Sequence, residues 1–282
     1  MKCQWQAFID MLPAWLRSDV DRLGSLQLQE LRLRVGNPPE LVLRNKSVWL
    51  SKEVRCDDLH YVINVASQYS PWAANTIAQG FITANGGHRI GICGEAVMQN
   101  NTMQNIRNPT SLCIRVSRDF PDIGKSALKY TGSVLIIGKP GSGKTTLLRD
   151  LIRLRSDCLG DSITVIDERG ELFPFIHGTS CYYPGRRTDV LRFCTKGQGI
   201  TTALRTMGPS CIAVDEITEQ ADCRALLRAG WSGVSLLATA HAGSYEDLLR
   251  RAVYRPIITN HLFDTILVMQ ADKSWHAERM YA

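Results

Sequence analysis

The sequence predicts two domains, a smaller α+β domain over residues 1–122 and an α/β domain with a mostly parallel sheet over residues 123–282. Three observations carry this. The first 120 residues mix helical stretches with short alternating strands and turn residues, as in a meander. From about residue 125 onward, short apolar segments at 134–137, 163–166, 211–214, 234–240 and 265–269 are separated by helical or loop stretches. That is the pattern of strands buried on both faces of a parallel sheet. Between the halves, Phe120-Pro121-Asp122-Ile123-Gly124 reads as a linker, and the composition changes there.

Taken in order, residues 1 to about 30 predict helix. Phe8, Ile9, Leu12, Leu16, Val20 and Leu23 fall near one face, with Pro13 and Gly24 as breaks. Residues 31–35 alternate apolar and polar, as a half-buried strand does. Gly36-Asn37-Pro38-Pro39 makes a turn into a second strand at 40–43, and Asn45-Lys46 a turn into a third segment at 47–50. From Asp57 the helical period returns, with Leu59, Val62, Ile63, Ala66 and Tyr69 on one face. Asp57 or Asp58 is placed to cap it, and Pro71 limits its end. A short helix through Thr76 and Ile77 follows. Residues 81–84 and 88–92 flank Asn85-Gly86-Gly87 as a hairpin, and 112–116 is a further alternating strand. No catalytic constellation stands out in this half.

The net charge is +6, and the basic residues are scattered. A dispersed excess, with no basic block and no aromatic-interleaved basic strand, argues against nucleic acid as a partner. A nucleic-acid-stimulated or RNA-binding protein is the rival reading, which stimulation of its activity by DNA or RNA would favour. Nine cysteines and no C-x-x-C pair argue against a zinc or disulfide framework and predict reduced core thiols. No apolar run approaches the ~20 residues that span a bilayer. The expectation is a cytoplasmic protein with no direct membrane insertion, peripheral to a membrane only through a partner.

The stretch Gly138-Lys139-Pro140-Gly141-Ser142-Gly143-Lys144-Thr145 organises the second half. It follows an apolar strand and opens a helix, the context in which G-x-x-x-x-G-K-[ST] is a phosphate loop. Its glycines let successive N–H groups curl inward as an anion nest, and the helix adds the positive end of its dipole. Lys144 brings a cation to the β- and γ-phosphates, and the Thr145 hydroxyl can ligate Mg²⁺. Together with Thr146, these residues predict a site for ATP within a RecA-like P-loop core.

Three later strands end in polar groups. Residues 211–214 lead into Asp215-Glu216, with Asp215 placed to bind Mg²⁺ and Glu216 to orient the attacking water. Residues 163–166 lead into Asp167-Glu168-Arg169, where either acid is placed to help position water or metal, at the carboxyl edge of the sheet. Residues 237–240 lead into His241, a γ-phosphate sensor or a structural imidazole. Residues 178–202 are expected to be a long irregular loop in which Arg186 and Arg187 reach a neighbour's nucleotide or are simply solvated.

In this order, the phosphate loop, the acidic strand end at 163–171, Val214-Asp215-Glu216-Ile217 and Ala238-Thr239-Ala240-His241 resemble the type II and type IV secretion ATPases. A closer resemblance is to the stage III sporulation protein AA family. It is carried by residues 31–36, Gly86-Gly87-His88-Arg89-Ile90-Gly91, 138–146, 166–171, 187–191 and 213–217. The resemblance implies an ATPase motor that forms a hexameric ring and docks on a membrane channel protein between mother cell and forespore. It also implies arginines sent from the N-terminal domain toward the nucleotide, for which Arg89, Arg115 and Arg118 lie at the matching place. Against the pattern, the tail after Gln270 lacks the glycine turn expected there, and Asp167-Glu168 stands where secretion ATPases usually place Glu then Asp.

Overall fold

The computed structural model describes residues 1–67, 77, 80–176 and 178–279. It divides into two compact units, Met1–Asp119 with Ile176–Cys181, and Phe120–Phe175 with Tyr182–Ala282. Tyr69, Pro71 and Thr76 lie outside the described residues, so the expectations placed on them stay with the sequence.

In the first unit, α1 (Trp5–Asp10) and α2 (Ala14–Gln27) are separated at Pro13, and Gly24 breaks the helical path inside α2 at φ 71°. The chain then turns extended earlier than the sequence suggests. Strand β1 covers Leu28–Arg34, because Leu28, Leu31 and Leu33 are all needed in the core. β2 (Glu40–Leu43), β3 (Ser47–Trp49), α3 (Cys56–Ser67), β4 (Phe81–Thr83), β5 (Arg89–Gln99) and β6 (Thr102–Arg115) complete the unit. The strands form an antiparallel sheet in the order β3-β2-β1-β6-β5-β4. Leu31 sits between Leu41 and Ile114 in register, and Leu33 opposite Leu112, so one face is apolar. The β5–β6 hairpin is much longer than the sequence pattern shows. Its two-residue turn, Asn100-Asn101, has both φ angles positive, the form that matches strand twist. Its outer half is mostly exposed, and without a buried face it has no apolar alternation to read.

In the second unit, β7 (Val134–Ile137), α4 (Lys144–Leu154), β8 (Ile163–Asp167), β11 (Thr188–Arg192), α5 (Lys196–Thr206), β12 (Cys211–Ile217), α6 (Gln220–Trp231), β13 (Ser235–Ala240), α7 (Tyr245–Arg250), α8 (Arg255–Thr259), β14 (Thr265–Met269) and β15 (Trp275–Arg279) follow in sequence. In sequence between β8 and β11 a short ribbon pairs β9 (Phe175–Ile176) with β10 (Thr179–Ser180), its residues from Ile176 on counting with the first unit. The seven-stranded sheet has the order β11-β8-β12-β13-β7-β14-β15 and is parallel except for β15. Alternate residues feed opposite faces. Leu135, Ile137, Ile212 and Val214 join one core with α5 and α6, while Val134, Ile136, Cys211 and Ala213 join another with Leu147, Leu148, Leu151 and Ile152 of α4.

Two expectations are corrected here. Residues 178–202 are not one irregular loop: they hold edge strand β11 and the start of α5, whose signals are short and only half-buried. The cysteines are all free, but only Cys211 and Cys223 are buried, while Cys56, Cys93 and Cys158 are exposed. Among the described residues no helix is long and apolar enough to cross a membrane, and no cluster of three metal-ligating side chains forms.

Candidate nucleotide site

The site lies at the carboxyl ends of β7, β12, β13 and β8. The P-loop strand β7 and the Asp215 strand β12 are not neighbours; β13 lies between them. Side chains from β13 therefore reach both.

The loop from Gly138 to Gly143 is built for close approach. A Cβ on Gly138 would stand 2.5 Å from Ser142 Oγ and 2.8 Å from Met269 Cβ, so only glycine fits. Gly141 and Gly143 have φ of +74° and +100°, where an L side chain is strained. Lys144 is buried and donates to the carbonyls of Gly138 at 2.9 Å and Lys139 at 3.2 Å. Burial pushes its ammonium pKa down, opposed by the charges of Asp215 and Glu216. Ser142 Oγ is buried without a hydrogen-bond partner among the described residues. An orphaned hydroxyl inside a curl of amides, at a helix N-terminus with a lysine, is what a bound phosphate would satisfy.

Opposite the loop, the β12–β13 pairing steps from Val214↔Ala238 to Ile217↔Ala240, one extra residue on β12. This bulge falls on Asp215-Glu216 and re-aims both carboxylates. Glu216 takes φ 46°, a left-handed conformation costing roughly 1–2 kcal/mol for a residue with a Cβ. Its N–H donates to Thr239 Oγ1 at 2.8 Å and to Asp215 Oδ1 at 3.0 Å, which holds the conformation. The Thr239 hydroxyl in turn donates to Asp215 Oδ1 at 2.6 Å, and Thr145 Oγ1 donates to Asp215 Oδ2 at 2.9 Å. A hydroxyl and a carboxylate this close form a hard-oxygen pair that suits Mg²⁺.

His241, directly after β13, connects the two sides. Its Nδ1 is 3.0 Å from Lys144 Nζ and its Nε2 is 3.0 Å from Glu216 Oε1. An ammonium can only donate, so Nδ1 accepts and Nε2 carries the hydrogen given to the carboxylate. Glu216 Oε2 also accepts from Arg169 Nη1 at 3.2 Å.

The two acids that end β8 part company. Asp167 is buried and its carboxylate accepts the backbone N–H groups of Glu171 at 2.9 Å and Phe173 at 3.0 Å. Burial raises its pKa, with the backbone amides of Phe173 and Leu172 opposing. Asp167 thus anchors this loop, and it lines the same small cavity as Glu168 and Glu216. Arg149 of α4 completes the anchor by donating to the carbonyls of Leu172 at 2.7 Å and Glu171 at 3.0 Å. The loop so folded presents Glu168 and Arg169. Glu168 accepts from the buried Lys196 at 2.5 Å, and Glu168 and Glu216 both line a small cavity of about 20 Å³. That is room for about one water. A larger cavity of about 600 Å³ opens on Lys144, Thr145, Asp215, Glu216 and His241.

The three arginines of the first unit differ. Arg118 is half-buried and its guanidinium donates to the carbonyls of Ser25 at 2.8 Å, Val116 and Leu28. It clamps the backbone of its own unit. Arg115 pairs with Glu30 at 3.2 Å and stays well exposed, and Arg89 lies over the Phe81 ring at 4.3 Å. Sequence reasoning missed Thr239, Lys196 and Arg149. Thr239 carried a signal, as the polar interruption of an apolar strand two residues before His241. Lys196 and Arg149 carried none, because their partners come together only through the fold.

A parallel sheet with a phosphate loop on one strand and acids on the next strand but one defines a RecA-like P-loop fold, the fold of the secretion ATPases. The comparisons agree. The chain resembles the Legionella pneumophila ATPase DotB (TM-score 0.59, 17% identity, 95% of this chain and 80% of that one). It also resembles the pilus retraction motor PilT solved with bound ADP (TM-score 0.61, 15% identity, 90% and 77%). The chain belongs to the family described as sporulation stage III, protein AA, whose model matches residues 8–279. It is 34% identical over 266 residues to stage III sporulation protein AA of Bacillus subtilis (strain 168), across 91% of this chain and 87% of that protein.

Proposed function

We propose that the chain binds ATP with Mg²⁺ on residues 138–146 and hydrolyses it, as a motor of the secretion-ATPase kind acting in endospore formation. The observation that carries the reading is the continuous set Thr145–Asp215–Thr239–Glu216, in which the Thr239 hydroxyl ties the Asp215 carboxylate to the backbone N–H of Glu216.

Lys144 exchanges its carbonyl and imidazole partners for the β- and γ-phosphates. Thr145 and Asp215 would hold Mg²⁺, which would supply positive charge against the charge developing on the phosphates. Glu216 accepts a hydrogen bond from the attacking water and takes its proton as the new P–O bond forms and the bond to the β-bridging oxygen breaks. Glu168, on the same small cavity, supplies a second acceptor for that water. When Lys144 is drawn to phosphate, His241 is released from it and keeps its bond to Glu216, which makes it the sensor of the terminal phosphate. Arg89, Arg115 and Arg118 are the candidates for an arginine that meets a nucleotide and stabilises its developing charge. The assembly proposed is a hexameric ring, working on the cytoplasmic side with a membrane channel protein of the sporulation complex. Closure of one domain on the other around ATP would convert hydrolysis into movement.

The test is ATP turnover and binding for the parent chain, Lys144→Ala and Glu216→Gln, with light scattering for assembly. Glu216→Gln should bind ATP and lose turnover, and Lys144→Ala should lose binding. Near-normal hydrolysis by the Gln variant would refute the role of Glu216.

A further inference from the structure

The triphosphate machinery occupies one end of the 600 Å³ cavity, a volume in the range that takes a whole small ligand. The remaining wall includes Phe120, Ile123, Met269 and Lys273, beside Pro140, Gly141, Gly143 and Thr146 of the phosphate loop and its helix. These residues come together for local reasons. Gly124 N–H donates to Asp150 Oδ2 at 2.8 Å, which lays the 120–124 segment along the first turns of α4, beside Thr146. Met269 ends β14, next to β7, and a Cβ on Gly143 would stand 3.5 Å from Met269 Cε and 3.6 Å from Lys273 Cδ. Lys273 has φ 73° in the β14–β15 turn, which forms without the glycine expected there, and its ammonium donates to the Gly141 carbonyl.

Phe120 is 36% exposed and Ile123 is 42% exposed, on the wall of a pocket whose other end is polar. Leaving two large apolar side chains open to water has a cost that covering them would recover. We propose that Phe120, Ile123 and Met269 form the shelf for the nucleobase, and that the shelf takes purines with little discrimination between them. This rests on the nucleotide reading above and adds the base to it. The shelf offers an aromatic face and aliphatic surface for stacking, which every base can use. No side chain on it reads a base edge: Phe120 and Ile123 lack hydrogen-bonding groups, the Met269 thioether is a weak acceptor, and Lys273 is tied to the loop carbonyl. Strong rejection of an alternative base needs a buried polar group that the wrong base leaves unpaired, and the shelf has none. The larger ring surface of purines gives them the advantage over pyrimidines. The base then rests on the chain segment that follows Asp119, the last residue of the first unit's main stretch.

The experiment compares binding of Mg-ATP, Mg-GTP, Mg-CTP and Mg-tripolyphosphate to the full chain by calorimetry, for the parent, Phe120→Ala, Phe120→Trp and Ile123→Ala. The partial exposure of both positions makes the alanine variants tolerable to the fold. Phe120→Ala should weaken ATP about tenfold and leave tripolyphosphate unchanged; Phe120→Trp should restore ATP. GTP should bind within about threefold of ATP, with CTP weaker. Equal weakening of ATP and tripolyphosphate in Phe120→Ala, or none, overturns the shelf. A preference for ATP over GTP beyond about thirtyfold overturns its permissiveness. A parent chain that binds neither ATP nor tripolyphosphate overturns the nucleotide reading itself, and a parent that binds tripolyphosphate alone overturns the shelf while leaving the phosphate site standing.

Discussion

Thr239→Val replaces a hydroxyl with a methyl of nearly the same shape at a position with no solvent exposure. Two hydrogen bonds are lost: the 2.6 Å bond given to Asp215 Oδ1 and the 2.8 Å bond accepted from Glu216 N–H. The first involves a carboxylate and is worth about 2 kcal/mol, the second about 1 kcal/mol. The added methyl recovers up to about 1 kcal/mol of apolar burial. The net loss is then about 2–3 kcal/mol, which for a unit of this size lowers its melting temperature by roughly 5–10 °C. The functional effect should be larger than the stability effect. Without Thr239, the backbone N–H of the left-handed Glu216 keeps only the 3.0 Å bond to Asp215, so the bulge that aims its carboxylate slackens. Turnover should fall at least tenfold while ATP affinity changes little, because Lys144 and the loop glycines are untouched. Thr239→Ser, which keeps the hydroxyl, should restore most of both. Differential scanning calorimetry and steady-state ATPase assays read the two effects. A valine variant as stable and as active as the parent would refute the claim that this hydroxyl holds the bulge.

Two further predictions concern residues elsewhere in the chain. His88 is fully buried, accepts Ser117 N–H on Nδ1 at 3.1 Å and gives its Nε2 hydrogen to Gln4 O at 3.0 Å; burial lowers its pKa from 6.5 to about 4. The unfolded chain therefore takes up a proton near pH 6.5 that the folded chain refuses until about pH 4. Stability is complete above pH 6.5 and falls as pH drops through that window, by about 3 kcal/mol in all. Urea unfolding at pH 7.5 and 5.5 should show the loss, and His88→Gln should flatten it. Gly138→Ala would drive a methyl to 2.5 Å from Ser142 Oγ, and ATP affinity should drop more than tenfold by calorimetry with the melting temperature of the first unit unchanged.

Local chemistry made much of this protein legible before any fold was known. The apolar strands, the phosphate loop and the acids that end β8 and β12 are short-range patterns. A strand buried on both faces must be apolar, and a loop that curls around phosphate must be glycine-rich, so the residues show it directly. Pro13 and Gly24 likewise mark breaks that any helix would show. The outer half of the β5–β6 hairpin and the half-buried edge strand β11 lack such a signature, because a strand with little buried surface is under little compositional constraint.

Other properties belong to the assembled fold. Asp167 and Glu168 are adjacent acids at one strand end and both line the cavity shared with Glu216, yet Asp167 also holds the loop amides while Glu168 takes the ammonium of Lys196. Arg118 looks like a free strand arginine and is spent on three carbonyls of its own unit. Glu216 owes its conformation to a register shift against β13, a strand that follows it in the chain. For Glu168, Arg118 and Glu216 the deciding partner is distant in sequence: a carboxylate, guanidinium or backbone amide takes its role from whichever donors and acceptors the packed core brings within about 3 Å, and composition at one position carries no record of that neighbour.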